Sequence, residues 1–410
     1  MTKDLKNLIV GLDIGTSKVV AVVAEVLPDG RHEVIGLGQH ESKGLKKGVV
    51  VNIEATIASI QAALEEAELM ADCKIRTVYT GIAGSHIRSF NSRGMVAIKD
   101  KEVTAADVAR VIETARAVNI PTDQQFLHTV SQEFVVDNQE GVREPIGMSG
   151  IRLEVKVHIV TGAVSAVQNI VKCIRRCGLE VSDLILQPLA SADAVLTEDE
   201  KELGVVLIDI GGGTTDIAVF TEGAIRHTAV IPIAGDQITN DIAMALRTPT
   251  LEAEEIKIRH GVAKQILVDS SETIEVPGLG DRGPRTLSRQ MLAAVIEPRV
   301  EELFALALQV VRESEFEEVL SSGVVLTGGT ALMPGIAELA EEIFLKPVRI
   351  GVPQYNGQLA DVVKSPRYST AHGLLAEAKK QYLRGNVVNR QQGSTKAILQ
   401  RMKEWFMGNF

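Results

Sequence analysis

Two short segments of this 410-residue sequence carry residue types that can hold a phosphate and its counter-ion. One is Asp13-Ile-Gly-Thr-Ser-Lys18 and the other Asp209-Ile-Gly-Gly-Gly-Thr-Thr-Asp216. Each is expected in a tight turn between strands, where backbone N–H groups converge on an anion. Gly15 is expected to take a backbone shape closed to other residues, and Gly211, Gly212 and Gly213 to let the chain approach phosphate oxygens closely. Thr16, Ser17, Lys18, Thr214 and Thr215 complete the two candidate grips. Magnesium keeps several waters and takes one or two carboxylates, so Asp13 and Asp209, one from each turn, suffice to hold it through water. One such turn alone is an ordinary tight turn. The duplicated pair, with a strand running into Thr327-Gly328-Gly329-Thr330 and a helix downstream, reads as a nucleotide site. No GxxxxGK[ST] loop occurs, and the glycines at 211–213 lead into a strand without GxGxxG spacing, which argues against P-loop and dinucleotide folds.

The elements that must position these turns repeat. Strands are expected at 8–14, 18–26 and 33–39, with Pro28-Asp29-Gly30 as a turn, and again at 204–210, 216–220 and 224–231. A helix at 53–72 follows the first meander, then a strand at 78–83. Residues 84–159 change texture: short strands at 95–98, 126–136 and 151–159 around one helix at 105–117 suggest a small inserted α+β domain. A helix is expected at 164–176. Residues 236–301 read as mostly helical with an irregular middle at 276–284, and a strand at 323–326 precedes a helix at 334–344. Residues 385–394, rich in Gly, Asn and Gln, read as a flexible linker.

Composition sets limits. At 45% hydrophobic, 410 residues exceed one compact core, so at least two domains are expected. A net charge of -10 argues against nucleic acid as a partner. Cys73, Cys173 and Cys177 form no even disulfide framework, which fits a reducing compartment; Cys173 and Cys177 read as buried thiols or half a metal site. The N-terminus does not read as a signal peptide, and no stretch reaches the roughly 18 to 20 apolar residues of a spanning helix. At the end of the chain, Ile398, Leu399, Met402, Trp405 and Phe406 form one apolar helical stripe, with Lys396, Arg401 and Lys403 among the polar positions. This basic amphipathic helix suits the plane of an anionic membrane, or else a groove on the protein itself or a partner.

The three motifs in order resemble the actin, heat-shock chaperone and sugar kinase superfamily. The resemblance implies an α/β, actin-like two-lobed ATPase fold of duplicated RNase H-like domains, with ATP and Mg2+ between the lobes. It implies that Gly328, Gly329 and Thr330 pack against adenosine, and that Glu254 and Lys257 match the pair near adenine and ribose; a solvated i,i+3 ion pair is the alternative. Gln187 aligns with a water-positioning Gln or Glu, or else caps the strand before Pro188. An uncharged amide orients water but is a poor base, so turnover is expected to be slow.

The match narrows along Val10-Gly-Leu-Asp-Ile-Gly-Thr-Ser-Lys18, Ser42-Lys-Gly-Leu-Lys-Lys-Gly48, Ile256-Lys-Ile-Arg-His-Gly261, Ile296-Glu-Pro-Arg299 and 324–329. Over nearly the whole chain it resembles the FtsA family of bacterial division proteins. The resemblance implies lobe 1A at 1–83 and 163–203, an inserted subdomain 1C at 84–162, lobe 2A at 204–238 and 302–384, and 2B at 239–301. A linker at 385–395 and a membrane-targeting helix at 396–410 complete the chain. Family members polymerise or oligomerise at the cytoplasmic face of the inner membrane. They bind the FtsZ C-terminal tail through 2B and later division proteins through 1C. An acidic tail needs a basic groove, and Arg282, Arg285, Arg289 and Arg299 are the candidates, or else solvated surface arginines. The rivals are a pilus-assembly relative, a small-molecule kinase and a chaperone ATPase. The first gives no reason for the terminal helix, the second needs a catalytic Asp that cannot be located, and the third needs a further domain after 385.

Overall fold

In the computed structural model the described residues are 7–280 and 282–391. The terminal stripe Ile398, Leu399, Met402, Trp405 and Phe406, with the rest of 392–410, lies outside them.

Two five-stranded sheets share one strand order. In the first, the antiparallel meander Leu8–Ile14, Lys18–Val26 and His32–Glu41 is extended by parallel strands Thr77–Ile82 and Glu180–Leu186 beyond its first strand. In the second, Val205–Ile210, Thr215–Thr221 and Ala224–Ile231 form the meander, extended by Val324–Thr327 and Val348–Ile350. The strands are near-continuous apolar runs because both faces of each sheet are covered. On the first sheet, Val10, Leu12 and Ile14 face helices Ile53–Ala71 and Val164–Arg176, while Ile9, Val20 and Val22 face the other way.

What covers that other face comes from the far end of the chain. Helix Ser369–Gln391 supplies Ala371, Leu375 and Ala378 to the first sheet. Reciprocally, helix Gln187–Val195 supplies Ala192, Ala194 and Val195 to the second, against Val205, Leu207 and Phe220. The two helices cross where a Cβ on Gly373 would overlap the carbonyl of Ala190, so only glycine permits the crossing. The long helix also corrects an expectation: residues 385–391 are helical, not linker. A glycine costs about 1 kcal/mol in a helix, and four turns already docked on the sheet have supplied the costly nucleus.

The insert is a four-stranded antiparallel sheet ordered Arg88–Ala97, Arg152–Ala163, Gln124–Val136, Gln139–Val142, with helix Ala105–Arg116 packed on it. Thr104 and Asp107 form a capping box that starts this helix. The first strand is longer than expected. Ser89 and Asn91 look unlike strand residues, but they donate to the carbonyls of Thr228 and Arg226 on the edge strand of the second sheet. Gln132 donates to Ile225 O (2.7 Å), and buried His158 lies 2.8 Å from Asn91 Oδ1 and 2.9 Å from Thr228 Oγ1. The insert thus grips the second lobe although the chain joins it to the first.

The region 236–301 is less helical than expected. Helices Gly235–Leu246 and Thr250–His260 are followed by a hairpin, Thr273–Val276 with Arg285–Ser288, then helix Arg289–Glu313. Among the described residues no helix is long and apolar enough to cross a membrane.

Candidate nucleotide site

The two Asp-Ile-Gly turns face each other across the lobes and close with the same bond. Gly15 N donates to Lys18 O (3.0 Å), and Gly211 N donates to Thr214 O (3.0 Å). Neither Gly15 nor Gly211, Gly212 or Gly213 has a φ in the left-handed region, contrary to the expectation for Gly15. Gly212 and Gly213 are required for room instead. A Cβ on Gly212 would overlap Ser17 Oγ, and one on Gly213 would lie 2.6 Å from Thr16 Oγ1. The bare second turn accommodates the hydroxyls of the first. Gly328 does need its backbone freedom: its φ is +90°, and a Cβ there would sit 2.5 Å from Asp209 Oδ1.

Asp13, Asp209 and Asp216 are all buried around this contact. Burial pushes the Asp13 carboxyl up to about 6, against the pull of Lys18, and the charge of Asp209 adds to the rise. Asp209 is also raised by burial, although Ser191, Lys18 and Thr370 act to lower it. Asp216 is raised well above the usual range by burial and by the charges of Asp209 and Asp13; its Oδ1 is buried without a hydrogen-bond partner. Hard oxygen donors short of a cation, one of them orphaned, fit a divalent ion. Among the described residues no group of three or more His, Cys, Asp or Glu is placed to ligate a metal directly.

Gln187 starts helix Gln187–Val195, and its Nε2 donates to Asp13 Oδ1 (3.0 Å), with its side chain against Gly81. The same helix carries Ser191, whose hydroxyl donates to Asp209 Oδ2 (2.6 Å). One helical turn therefore touches the candidate metal carboxylates of both lobes.

Beyond the turns lies a cavity of about 380 Å3 lined by Ser17, Lys18, Gly235, Glu254, Lys257, Gly329, Thr330, Met333 and Arg367, in the size range of small-molecule sites. A narrower space of about 60 Å3 joins Lys18, Gln187, Gly213, Thr214, Gly328 and Arg367 around the carboxylates. Thr215, by contrast, donates to Ile233 O (2.7 Å) and supports the turn from behind. Lys257 and Glu254 are 2.6 Å apart; Lys257 also donates to Gly235 O (3.0 Å) and Thr239 Oγ1 (2.8 Å), and Thr239 bonds Glu254. Lys257 is nearly buried while Glu254 stays partly exposed, and the pair forms one corner of the cavity.

Asp216 and Arg367 escaped the sequence reading. Asp216 ends the quoted second motif and needed only a question about its charge. Arg367 lies on the short 3-10 turn Pro366–Tyr368, far along the chain from either Asp-Ile-Gly turn, and brings a guanidinium close enough to depress Lys18, whose ammonium is lowered chiefly by burial. A larger cavity of about 790 Å3, between insert and second lobe, contains none of the phosphate-grip residues.

Two of the four candidate arginines are held in ion pairs within the protein. Arg289 bonds Glu272 (2.5 Å) and His260 O (2.9 Å), and Arg299 holds Asp241 (2.5 Å) and also pairs with Glu302. Arg285 donates to Leu246 O, and Arg282 is exposed in the hairpin loop.

Comparison with known proteins agrees with this architecture. The family model described as "Cell division protein FtsA" matches residues 206–373, and that described as "SHS2 domain inserted in FTSA" matches 84–161. A cell division protein FtsA of Pseudomonas aeruginosa is 62% identical over 410 residues, covering 98% of each chain. Among solved structures, a PilM–PilN type IV pilus biogenesis complex aligns with TM-score 0.66 at 18% identity, over 90% of this chain and 98% of that one. MreB5 of Spiroplasma citri bound to ADP aligns with TM-score 0.56 at 15% identity, over 94% and 100%. Those two show the fold alone, an actin-like one. The identity along the whole length, with the insert matched in its own right, places the chain in the FtsA family of cell division proteins.

Proposed function

We propose that this protein is a nucleotide-gated, actin-like scaffold of cell division that binds ATP with Mg2+ between its lobes and self-associates on the inner membrane. The observation that carries the reading is the interlocked pair of turns, with three buried carboxylates held short of positive charge. Gly15, Thr16, Ser17 and Lys18 from one lobe and Gly211 to Thr214 from the other would hold the phosphates. Glu254, Lys257, Gly328, Gly329 and Thr330 would line the nucleoside. Asp13 and Asp209 would hold the ion through its waters, with Asp216 beside them. Mg2+ neutralises phosphate charge when bound; the chain's own part is to close the lobes and exclude water. Gln187 is an amide engaged with Asp13, so hydrolysis is slow and the nucleotide mainly sets lobe geometry.

The remaining roles are proposed from the resemblance to the family. The basic amphipathic segment from Lys396 to Phe406 anchors the protein at the cytoplasmic face of the membrane. The 2B region carries the FtsZ C-terminal tail, with Arg282 and Arg285 the candidates least committed to internal ion pairs, and the insert meets later division proteins. Liposome cosedimentation with ATP and FtsZ tests this. FtsZ should pellet with wild type, and Trp405→Glu should release both proteins. FtsZ remaining in the supernatant with wild type, or undiminished lipid binding by the variant, would defeat the tether.

A further inference from the structure

We propose that Ser191 and Thr370 are positioning residues that tie the Asp209 carboxylate to the crossing of the two interlobe helices, so that occupancy of the ion site and the angle between lobes are set together. The inference rests on the reading of the cleft as a Mg2+–nucleotide site and names residues of the chain that would couple it to lobe motion.

Ser191 is fully buried, and Thr370 nearly so. Ser191 Oγ lies 2.6 Å from Asp209 Oδ2 and 3.0 Å from Thr370 Oγ1; Thr370 Oγ1 is itself 3.4 Å from the same carboxylate oxygen. A hydroxyl has one proton. With the Ser191 proton committed to the shorter bond, the Thr370 proton is left for Ser191 Oγ. The result is a directed chain, Thr370 to Ser191 to Asp209, in a dry environment where each bond strengthens the next.

The two hydroxyls come from different helices. Ser191 is on Gln187–Val195, which covers the second sheet; Thr370 is on Ser369–Gln391, which covers the first. Both lie within a turn of the point where Gly373 admits the carbonyl of Ala190. Any rotation of the lobes turns these helices about that crossing and must lengthen or re-aim the hydroxyl chain. One turn before Ser191, Gln187 holds Asp13. The helix thus reads both carboxylates at fixed spacing, and the second helix enters only at Asp209. The other oxygen, Asp209 Oδ1, beside the Gly328 backbone, is left to face the ion's waters. A packing role alone would need neither hydroxyl.

The experiment uses the full chain with spin labels at E65C and L251C, exposed positions on the two lobes, and C177S to leave the buried native thiols untouched. Interlobe distances are measured by pulsed EPR with and without nucleotide, and affinity for a fluorescent ATP analogue with Mg2+ or with chelator. In wild type, Mg2+ should tighten nucleotide binding and narrow the distance distribution. Ser191→Ala with Thr370→Val should lose about tenfold in the Mg2+-dependent part of the affinity, as expected for hydrogen bonds to a charged group. Nucleotide-free variant protein should already show a broadened distribution. Ser191→Thr and Thr370→Ser keep a hydroxyl and should restore both readouts, which separates the proposal from a folding defect. A hydroxyl-free variant that closes and responds to Mg2+ as wild type does overturns the inference while leaving the nucleotide site standing. Wild type that neither binds nor closes overturns both.

Discussion

The two Asp-Ile-Gly turns share a backbone and divide the chemistry. The first carries Thr16, Ser17 and Lys18; the second, at the matching places, carries Gly212, Gly213 and Thr214. Had both turns kept side chains, the lobes could not meet, because Ser17 fills the space that a Cβ on Gly212 would need. Had both lost them, the site would lack hydroxyl donors and the lysine. Duplication supplied two equal frames, and function required them to become unequal.

Side chains on the second turn should keep the lobes apart. Gly212→Val should abolish lobe closure and lower ATP affinity by roughly a hundredfold or more, since overlap of this size forces backbone movement. Isothermal titration checks it. Adding Ser17→Gly should return part of the loss, a coupling expected only of residues in contact. A double variant as poor as the single would mean that the turns do not interlock.

The crossing of helices Gln187–Val195 and Ser369–Gln391 is equally tight. Gly373→Val should cost about 3 kcal/mol of stability, read by urea unfolding, because the helix crossing has no space for a branched side chain. A variant as stable as wild type would show that the crossing can slide.

The insert's grip on the second lobe should be pH-sensitive. Burial, with a smaller push from His227, lowers His158 to about 4 from the ordinary value near 6.5. The unfolded chain therefore binds the proton more readily in this window. Stability from this residue is complete above about 6.5 and lost as pH falls toward 4, by up to roughly 3 kcal/mol. His32 and His372, also lowered to about 4 by burial, give the same slope, so the difference between wild type and His158→Gln isolates the junction. Parallel stability curves for the two proteins would remove His158 from the account.

The smallest effect belongs to the nucleoside end. Glu254→Gln keeps the shape of the Lys257 corner and should weaken nucleotide binding only about threefold, with Lys257→Met worse because it removes bonds to Gly235 O and Thr239. Equal or no losses would return the pair to an ordinary helix contact.

Both meanders were legible in the sequence because strands buried on two faces are apolar runs and Asp-Ile-Gly marks the turns locally. The motif residues Asp13, Gly211 to Thr214 and Gly328 do come together. What the sequence hid is what depends on distant partners. Strand Arg88–Ala97 reads as polar because Ser89 and Asn91 serve the second lobe's edge and not a core. Arg289 and Arg299 read as available charge, yet Glu272, Asp241 and Glu302 occupy them. Ser191, Thr370 and Arg367 carry no local signature; only the crossing of helices remote in the chain brings them to the carboxylates. The role expected of Gly15 failed differently: its backbone is ordinary, and the need for glycine falls on Gly212 and Gly213, whose constraint is space set by the other lobe.

The exchange of covering helices between the two sheets also orders events during synthesis. Ile9, Val20 and Val22 are among the first apolar residues to leave the ribosome, and their cover, Ala371, Leu375 and Ala378, among the last. One face of the first sheet stays bare for most of translation. A chain truncated before residue 369 would carry that bare face permanently.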